Sequence, residues 1–270
     1  MGYQHGLFTW ADLAAPDPAA IKGFYMALLG WDAEDQYDPE GNYVYTMFSK
    51  DGHTVAGLGG HPPAMAGEGI PAFWTSYVSV DDIDATIVRW VEAGGTVMMP
   101  AMDVFDSGRM AFVADPEGAV VAFWQAGKHV GGQVFNVPGA MTWNELNTRD
   151  PESAKEFYGK ALGWEFEAFD SPGALTYWLI TVPEKEKGGL FAEDAYNGGM
   201  LTITEDFPPE MPANWSVYFA SANVDKDVAR LDELGGGLFA GVIDTSAGRL
   251  AVVSDPQGGV FQLITPPQPT

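Results

Sequence analysis

The chain reads as an α+β protein made of four βαβββ modules in tandem, two in each half. Three observations predict this. One strand-and-helix stretch is written twice, each such stretch is followed by about three strand signals, and an Asp-Pro-x-Gly turn closes a hairpin late in both halves.

The duplicated stretch runs from Trp10 to Trp31. Trp10, Leu13, Asp17, Pro18, Lys22, Phe24, Tyr25, Leu29, Gly30 and Trp31 return 133 positions later as Trp143, Leu146, Asp150, Pro151, Lys155, Phe157, Tyr158, Leu162, Gly163 and Trp164. A period of this size means duplicated domains rather than a solenoid. Within the stretch, a short strand places Trp10 and Asp12 on one face, as it does Trp143 and Glu145, because side chains alternate along a strand. A helix follows. Asp17 and Asp150 cap its first free N–H groups, and Pro18 and Pro151 take the first helical position, where a missing donor costs nothing. Ile21, Phe24, Tyr25, Leu28 and Leu29 form its apolar face, and Gly30 and Gly163 end it.

The rest of the first half repeats this order. Asn42 to Phe48 reads as a strand, Lys50-Asp51-Gly52 turns it, and His53 to Leu58 returns as its partner. The connection from His61 to Pro71 is rich in Pro and Gly and carries no periodicity. Phe73 to Val80 is the next strand, after which Asp81 is expected to cap a helix bearing Ile83, Ile87 and Val91, ended by Gly94-Gly95. Thr96 to Met99 opens another strand. Met110 to Ala114 and Ala119 to Trp124 then pair across Asp115-Pro116-Glu117-Gly118, whose residues suit a type I turn.

Gly127 to Gly139 is a polar connection. Beyond it, Trp215 and Tyr218 answer Trp74 and Tyr77, Gly248-Arg249 answers Gly108-Arg109, and Asp255-Pro256-Gln257-Gly258 answers the turn. The offset grows to 141 and 140 at these points, most of it through an insertion near Glu184 to Gly189. The tail from Thr265 is expected to fray. These boundaries give one domain at 1–128, a linker at 129–138 and a second domain at 139–270.

With 270 residues, 46% of them hydrophobic, the chain can fill two cores. It has no cysteine, which removes disulfides and thiolate chemistry together. Its net charge of −24 repels phosphates and anionic lipid, so neither nucleic acid nor membrane is an expected partner. No apolar run is long enough for a membrane span. The first eight residues lack a basic region followed by an apolar one, so a cytoplasmic protein, monomer or homodimer, is expected.

Asp-x-x-x-x-x-x-Phe-Tyr-x-x-x-Leu-Gly-Trp in the first module of each half and Gly-Arg-x-x-x-x-x-Asp-Pro-x-Gly in the second resemble the vicinal oxygen chelate superfamily, the group of glyoxalase I, bleomycin-resistance proteins and extradiol dioxygenases. The likeness covers nearly the whole chain. It implies that paired modules form two open barrels of mixed sheet, each a cup holding a divalent metal and a substrate. The resemblance carries the family's metal-ligand positions onto Trp10, Gly57, Thr75 and Ala122 in one half, and onto Trp143, Gly199, Ser216 and Gln262 in the other. Only Gln262 is a plausible ligand. His5, His53, His61 and His129 lie in the first half at a terminus, a turn, the Pro-rich connection and the linker, and are read as solvated or capping.

No metal and no other cofactor is therefore expected, and each cup floor is expected to be aromatic. Trp10, Tyr45 and Trp74 in one half, and Trp143, Tyr177 and Trp215 in the other, are candidate ligand-binding residues, with Arg109 and Arg249 as polar groups. A small organic molecule is the expected ligand. As the alternative, a lyase or dioxygenase-type enzyme, Asp12 and Glu145 are candidate catalytic residues, acting as general bases with a pKa raised by apolar surroundings. Other readings stay open: the aromatics are core, the arginines brace the Asp-Pro turns, and the whole is a degenerate scaffold for protein contacts.

Overall fold

In the computed structural model, residues 2–62, 65, 67–169, 176–183 and 196–267 are described. The expected insertion near Glu184 to Gly189 lies outside them, as does the end of the tail. The first half runs β1 (Phe8–Ala15), α1 (Pro18–Leu29), β2 (Asp32–Tyr37), β3 (Tyr43–Lys50), β4 (His53–Gly60), β5 (Phe73–Ser79), α2 (Ile83–Glu92), β6 (Thr96–Val104), β7 (Gly108–Ala114), β8 (Val120–Ala126). The second runs β9 (Met141–Thr148), α3 (Pro151–Leu162), β10 (Glu165–Phe169), β11 (Tyr177–Thr181), β12 (Gly198–Thr202), β13 (Asn214–Ala220), α4 (Val224–Val228), β14 (Gly237–Leu238), β15 (Ile243–Thr245), β16 (Gly248–Ser254), β17 (Val260–Thr265).

Each half makes one mixed sheet with the same strand order. The first is β2-β3-β4-β1-β5-β8-β7-β6, and the second is β10-β11-β12-β9-β13-β17-β16-β14 with β15 added beside β16. Both are open, so the architecture is the expected α+β arrangement of four modules. Among the described residues no helix is long and apolar enough to cross a membrane.

The helices start where the sequence placed them, with one correction. Asp17 and Asp150 cap α1 and α3 through side-chain bonds to the N–H of Ala20 and Ser153, and Gly30 and Gly163 close them in the left-handed region. In α2 the cap is Asp82, not Asp81, and the buried positions are Ile83, Thr86 and Trp90. Val91 is exposed. The Trp90 indole, bonded through Nε1 to the Ala114 carbonyl, sets the helix rotation and turns Val91 outward. The fourth helix is only five residues long and is followed by a 3-10 turn at Asp232–Leu234.

The repeated Phe-Tyr…Leu-Gly-Trp motif explains the packing. The chain forms two compact units, each drawn from both halves: Met1–Trp10 with Ser76–Gly131 and Trp143–Ser216, and Ala11–Thr75 with Gly132–Thr142 and Val217–Thr270. In the first unit Tyr158 of α3 donates to Asp115 of the first half's turn at 2.9 Å and accepts from Trp215 Nε1 at 2.9 Å. Trp164 stacks on Tyr158 and donates to the Gly6 carbonyl. In the second unit Tyr25 donates to Asp255 at 2.7 Å, accepts from Trp74 Nε1 at 3.0 Å, and is stacked by Trp31, which donates to the Gly139 carbonyl.

Both clasps therefore join the tyrosine motif of one half to the Asp-Pro turn of the other. Their aspartates also accept two backbone N–H groups each within the turn, which satisfies carboxylates that burial would otherwise penalise. The strands of one sheet lie between Phe8 and Ala126 and those of the other between Met141 and Thr265; each packing unit draws on both stretches. The connection at 129–138 is pinned to β4 by paired bonds between Thr54 and Gln133.

A tyrosine and carboxylate over a glycine

The site is built from strand register. In the second half β12 lies parallel to β9 with Gly199 opposite Glu145, and β11 lies antiparallel to β12 with Leu179 opposite Gly199. Tyr177, two residues before Leu179, leans across Gly199, so its hydroxyl meets Glu145 Oε2 at 2.9 Å and accepts from Trp143 Nε1 at 2.8 Å. Only glycine permits this. A Cβ at Gly199 would fall 2.7 Å from Tyr177 Cε1, and closer still to Cζ and the hydroxyl oxygen.

The first half repeats the arrangement. Gly57 sits opposite Asp12 in the parallel pair of β4 and β1, and Tyr45 donates to Asp12 Oδ2 at 3.1 Å. A Cβ at Gly57 would fall 2.8 Å from Tyr45 Cε1. Glu145 is 6% exposed, whereas Asp12, Tyr45, Tyr177 and Trp143 are half-buried. Burial first, and then the Glu145 charge, hold the Tyr177 hydroxyl well above its ordinary pKa. It is therefore a neutral donor to Glu145 at neutral pH.

The remaining predicted residues part company with this group. Trp74 and Trp215 lie on the opposite, helix-covered faces, bonded to Tyr25 and Tyr158 in the clasps. Parity foretells this, since Trp74 and Tyr77 are three apart on one strand and face opposite ways. Arg109 is paired with Asp84 and Asp103, and Arg249 with Asp225 and Asp244, all at the surface. Neither arginine reaches a turn aspartate, so the bracing role falls to Tyr25 and Tyr158 instead.

Two features were missed. His129, read as solvated or capping, packs edge-on against Trp10 at 4.6 Å and lies 5.7 Å from Trp124, with Nε2 buried and without a partner. Burial lowers its pKa, so it is neutral in the fold. In the second half Asn147, two residues beyond Glu145, donates to Asn214 and Ser216. The same strand parity that pairs Trp143 with Glu145 would have found Asn147. An open cavity of about 750 Å³ lined by residues including Tyr3, His5, Asp81 and Pro183 shares none of the predicted site residues.

The family's metal does not fit these residues. Of the eight ligand positions, Trp10, Trp143, Gly57, Gly199 and Ala122 offer no side-chain lone pair suited to a hard cation, and Thr75 and Ser216 offer only neutral hydroxyls. The space a ligand side chain would need at Gly57 or Gly199 is filled by a tyrosine ring. Among the described residues no group of three or more His, Asp or Glu is placed to hold a metal.

Comparison with known proteins agrees with the architecture. The model of the glyoxalase/bleomycin resistance protein/dioxygenase superfamily matches residues 7–123, and that of the glyoxalase-like domain matches 143–264. A protein of Mycobacterium tuberculosis named "Putative glyoxylase CFP32" is 38% identical over 98% of this chain and 96% of its own. The anthracycline biosynthesis protein DnrV of Streptomyces peucetius is 37% identical over 97% and 94%. Among solved structures, the Mn(II)-bound glyoxalase of Novosphingobium aromaticivorans gives a TM-score of 0.61 at 17% identity, covering 97% of this chain and 83% of its own. The 2,3-dioxygenase LapB of Pseudomonas sp. KL28 gives 0.61 at 14%, covering 98% and 95%. With a family model on each half, relatives this similar along its full length and the same fold, the chain belongs to the glyoxalase/bleomycin resistance protein/dioxygenase superfamily.

Proposed function

We propose that this protein binds a small oxygenated organic molecule on the sheet face that carries the tyrosine and carboxylate in each half, and that it does so without a metal. The observation that carries this reading is the repeated hydroxyl over glycine. A tyrosine occupies the space at a family ligand position in both halves, and its hydroxyl is bonded to an acid at 3.1 Å in one and 2.9 Å in the other. A carboxylate with a phenol beside it presents oxygen acceptors suited to a ligand hydroxyl, and the neighbouring indole of Trp143 offers a flat apolar surface. The similarity to a protein named for anthracycline biosynthesis supports a flat, oxygen-bearing ligand class.

The test is a thermal-shift and calorimetric screen of the full chain against phenols, quinones and hydroxy acids, repeated with Glu145→Gln and Tyr177→Phe. A ligand that stabilises the parent chain and loses at least tenfold in affinity to both variants supports the reading. Ligand responses that neither variant alters refute it. An enzymatic role is a second reading, favoured by the burial of Glu145. A carboxylate bonded to a neutral phenol is placed to take a proton from a bound hydroxyl or from carbon beside a carbonyl. Turnover of a screened ligand that Glu145→Gln abolishes, with binding kept, would establish that role.

A further inference from the structure

Asn147, Asn214 and Ser216 form a polar group on the sheet face that also holds Glu145. Asn147 follows Glu145 by two residues on β9, which puts the two side chains on one face about 7 Å apart. Asn147 is buried. Its Nδ2 donates to Ser216 Oγ at 3.2 Å and to Asn214 Oδ1 at 3.3 Å, and Ser216 Oγ donates to Asn214 Oδ1 at 3.0 Å. Asn214 in turn gives its own amide to the Pro212 carbonyl.

The donors of Asn147 and Ser216 are thus spent within the group, and two of the bonds are at the long end of the usual range. What it keeps is an acceptor, because no described residue donates to Asn147 Oδ1. A buried asparagine bonded to two half-buried polar side chains on one sheet face calls for a reason, and the first half shows that the fold does not need them. At the corresponding positions, 133 and 141 residues earlier, it has Ala14, Phe73 and Thr75, and Phe73 stacks on His61.

We propose that Asn147, with Ser216 and Asn214 behind it, is a specificity subsite for a hydrogen-bond donor, such as a hydroxyl, carried by the ligand about 7 Å from the group held at Glu145 and Tyr177. The second half then selects a molecule with polar groups at both ends, and the first half does not. This rests on the reading of the tyrosine and carboxylate as a binding site.

Hydroquinone and 4-methoxyphenol test it, since they share a phenol end and differ in whether the far oxygen carries a proton. Binding to the full chain is followed by the indole N–H resonance of Trp143, assigned with Trp143→Phe, which reports the second half alone. Hydroquinone should bind about tenfold more tightly than 4-methoxyphenol, the scale on which a site discriminates by one hydrogen bond. Asn147→Ala should bring that ratio to near one while leaving 4-methoxyphenol within about twofold. Ser216→Ala, which keeps Asn147, should lower the ratio at least about threefold and serves as the reading if Asn147→Ala does not fold. Selectivity that persists in whichever folded variant is measured overturns the subsite and leaves the site intact. Failure of both probes to move the Trp143 resonance overturns the site, and the subsite with it.

Discussion

Gly199→Ala is the sharpest test of how the site is built, because ordinary reasoning predicts the opposite sign. Gly199 lies in a strand with no positive φ, so alanine is allowed there and should stabilise by about 0.4–1 kcal/mol through the unfolded chain. The structure says otherwise. The added methyl would fall 2.7 Å from Tyr177 Cε1 and nearer the hydroxyl, so the ring must swing away and give up both its bonds, to Trp143 and to Glu145. Overpacking costs about 1–3 kcal/mol, and a buried carboxylate stripped of a donor costs about 1–3 more. Less the backbone gain, the net loss is about 3 kcal/mol, or a fall in Tm of roughly 6–12 °C for a chain of this size. The double variant with Tyr177→Ala decides the cause. Once the ring is gone, Gly199→Ala should be neutral or slightly stabilising, giving a coupling near the full 3 kcal/mol estimated above. Additive losses would show that glycine is there for some other reason and that the tyrosine is not seated by it.

Four other outcomes follow. Tyr25, Tyr158 and Tyr177 all have hydroxyls pushed well above their usual pKa by burial and a carboxylate neighbour; the unfolded chain sheds these protons first, so stability is full below pH 10 and falls above it, and urea unfolding between about pH 9 and 11 should show a slope that each Phe variant flattens. His129 has the opposite sense: its lowered pKa means the unfolded chain binds the proton more readily, so stability falls as pH drops below 6.5, and His129→Gln should remove that part of the slope. Arg109→Ala and Arg249→Ala, which break exposed pairs, should leave both the unfolding midpoint and any ligand response unchanged. A chain ending at Lys128 should lack dispersed amide resonances, because Tyr25 and Asp115 then lose Asp255 and Tyr158.

The fold was legible because its signals are local and doubled. A capping aspartate, a proline at the first helical position and a glycine stop fix α1 and α3 without tertiary help, and the turns at Asp115 and Asp255 fix two hairpins. The candidate site was half legible. Alternation put Trp10 with Asp12 and Trp143 with Glu145, but which tyrosine reaches the acid depends on a register between strands more than thirty residues apart. No periodicity carries that. Gly57 and Gly199 held the clue, since a glycine inside an otherwise β-branched or apolar strand marks a close approach. His129 was unreadable for a different reason: a histidine in a polar connection looks solvated until packing presses the connection against Trp10 and Trp124.

One arrangement recurs in three settings, and its neighbours decide what it does. Trp215 donates to Tyr158 and Tyr158 to Asp115; Trp74 donates to Tyr25 and Tyr25 to Asp255; Trp143 donates to Tyr177 and Tyr177 to Glu145. In the first two, the acid's other oxygen takes two backbone N–H groups from its own turn, so the carboxylate is consumed by structure. The helix tyrosine there is fully buried, sealed by a stacked tryptophan. The third sits on a strand, and its tyrosine and tryptophan are half-buried. Identical chemistry is thus spent on holding the fold where a helix covers it. On the opposite sheet face the two halves have diverged, Asp12 against Glu145 and Ala14 against Asn147.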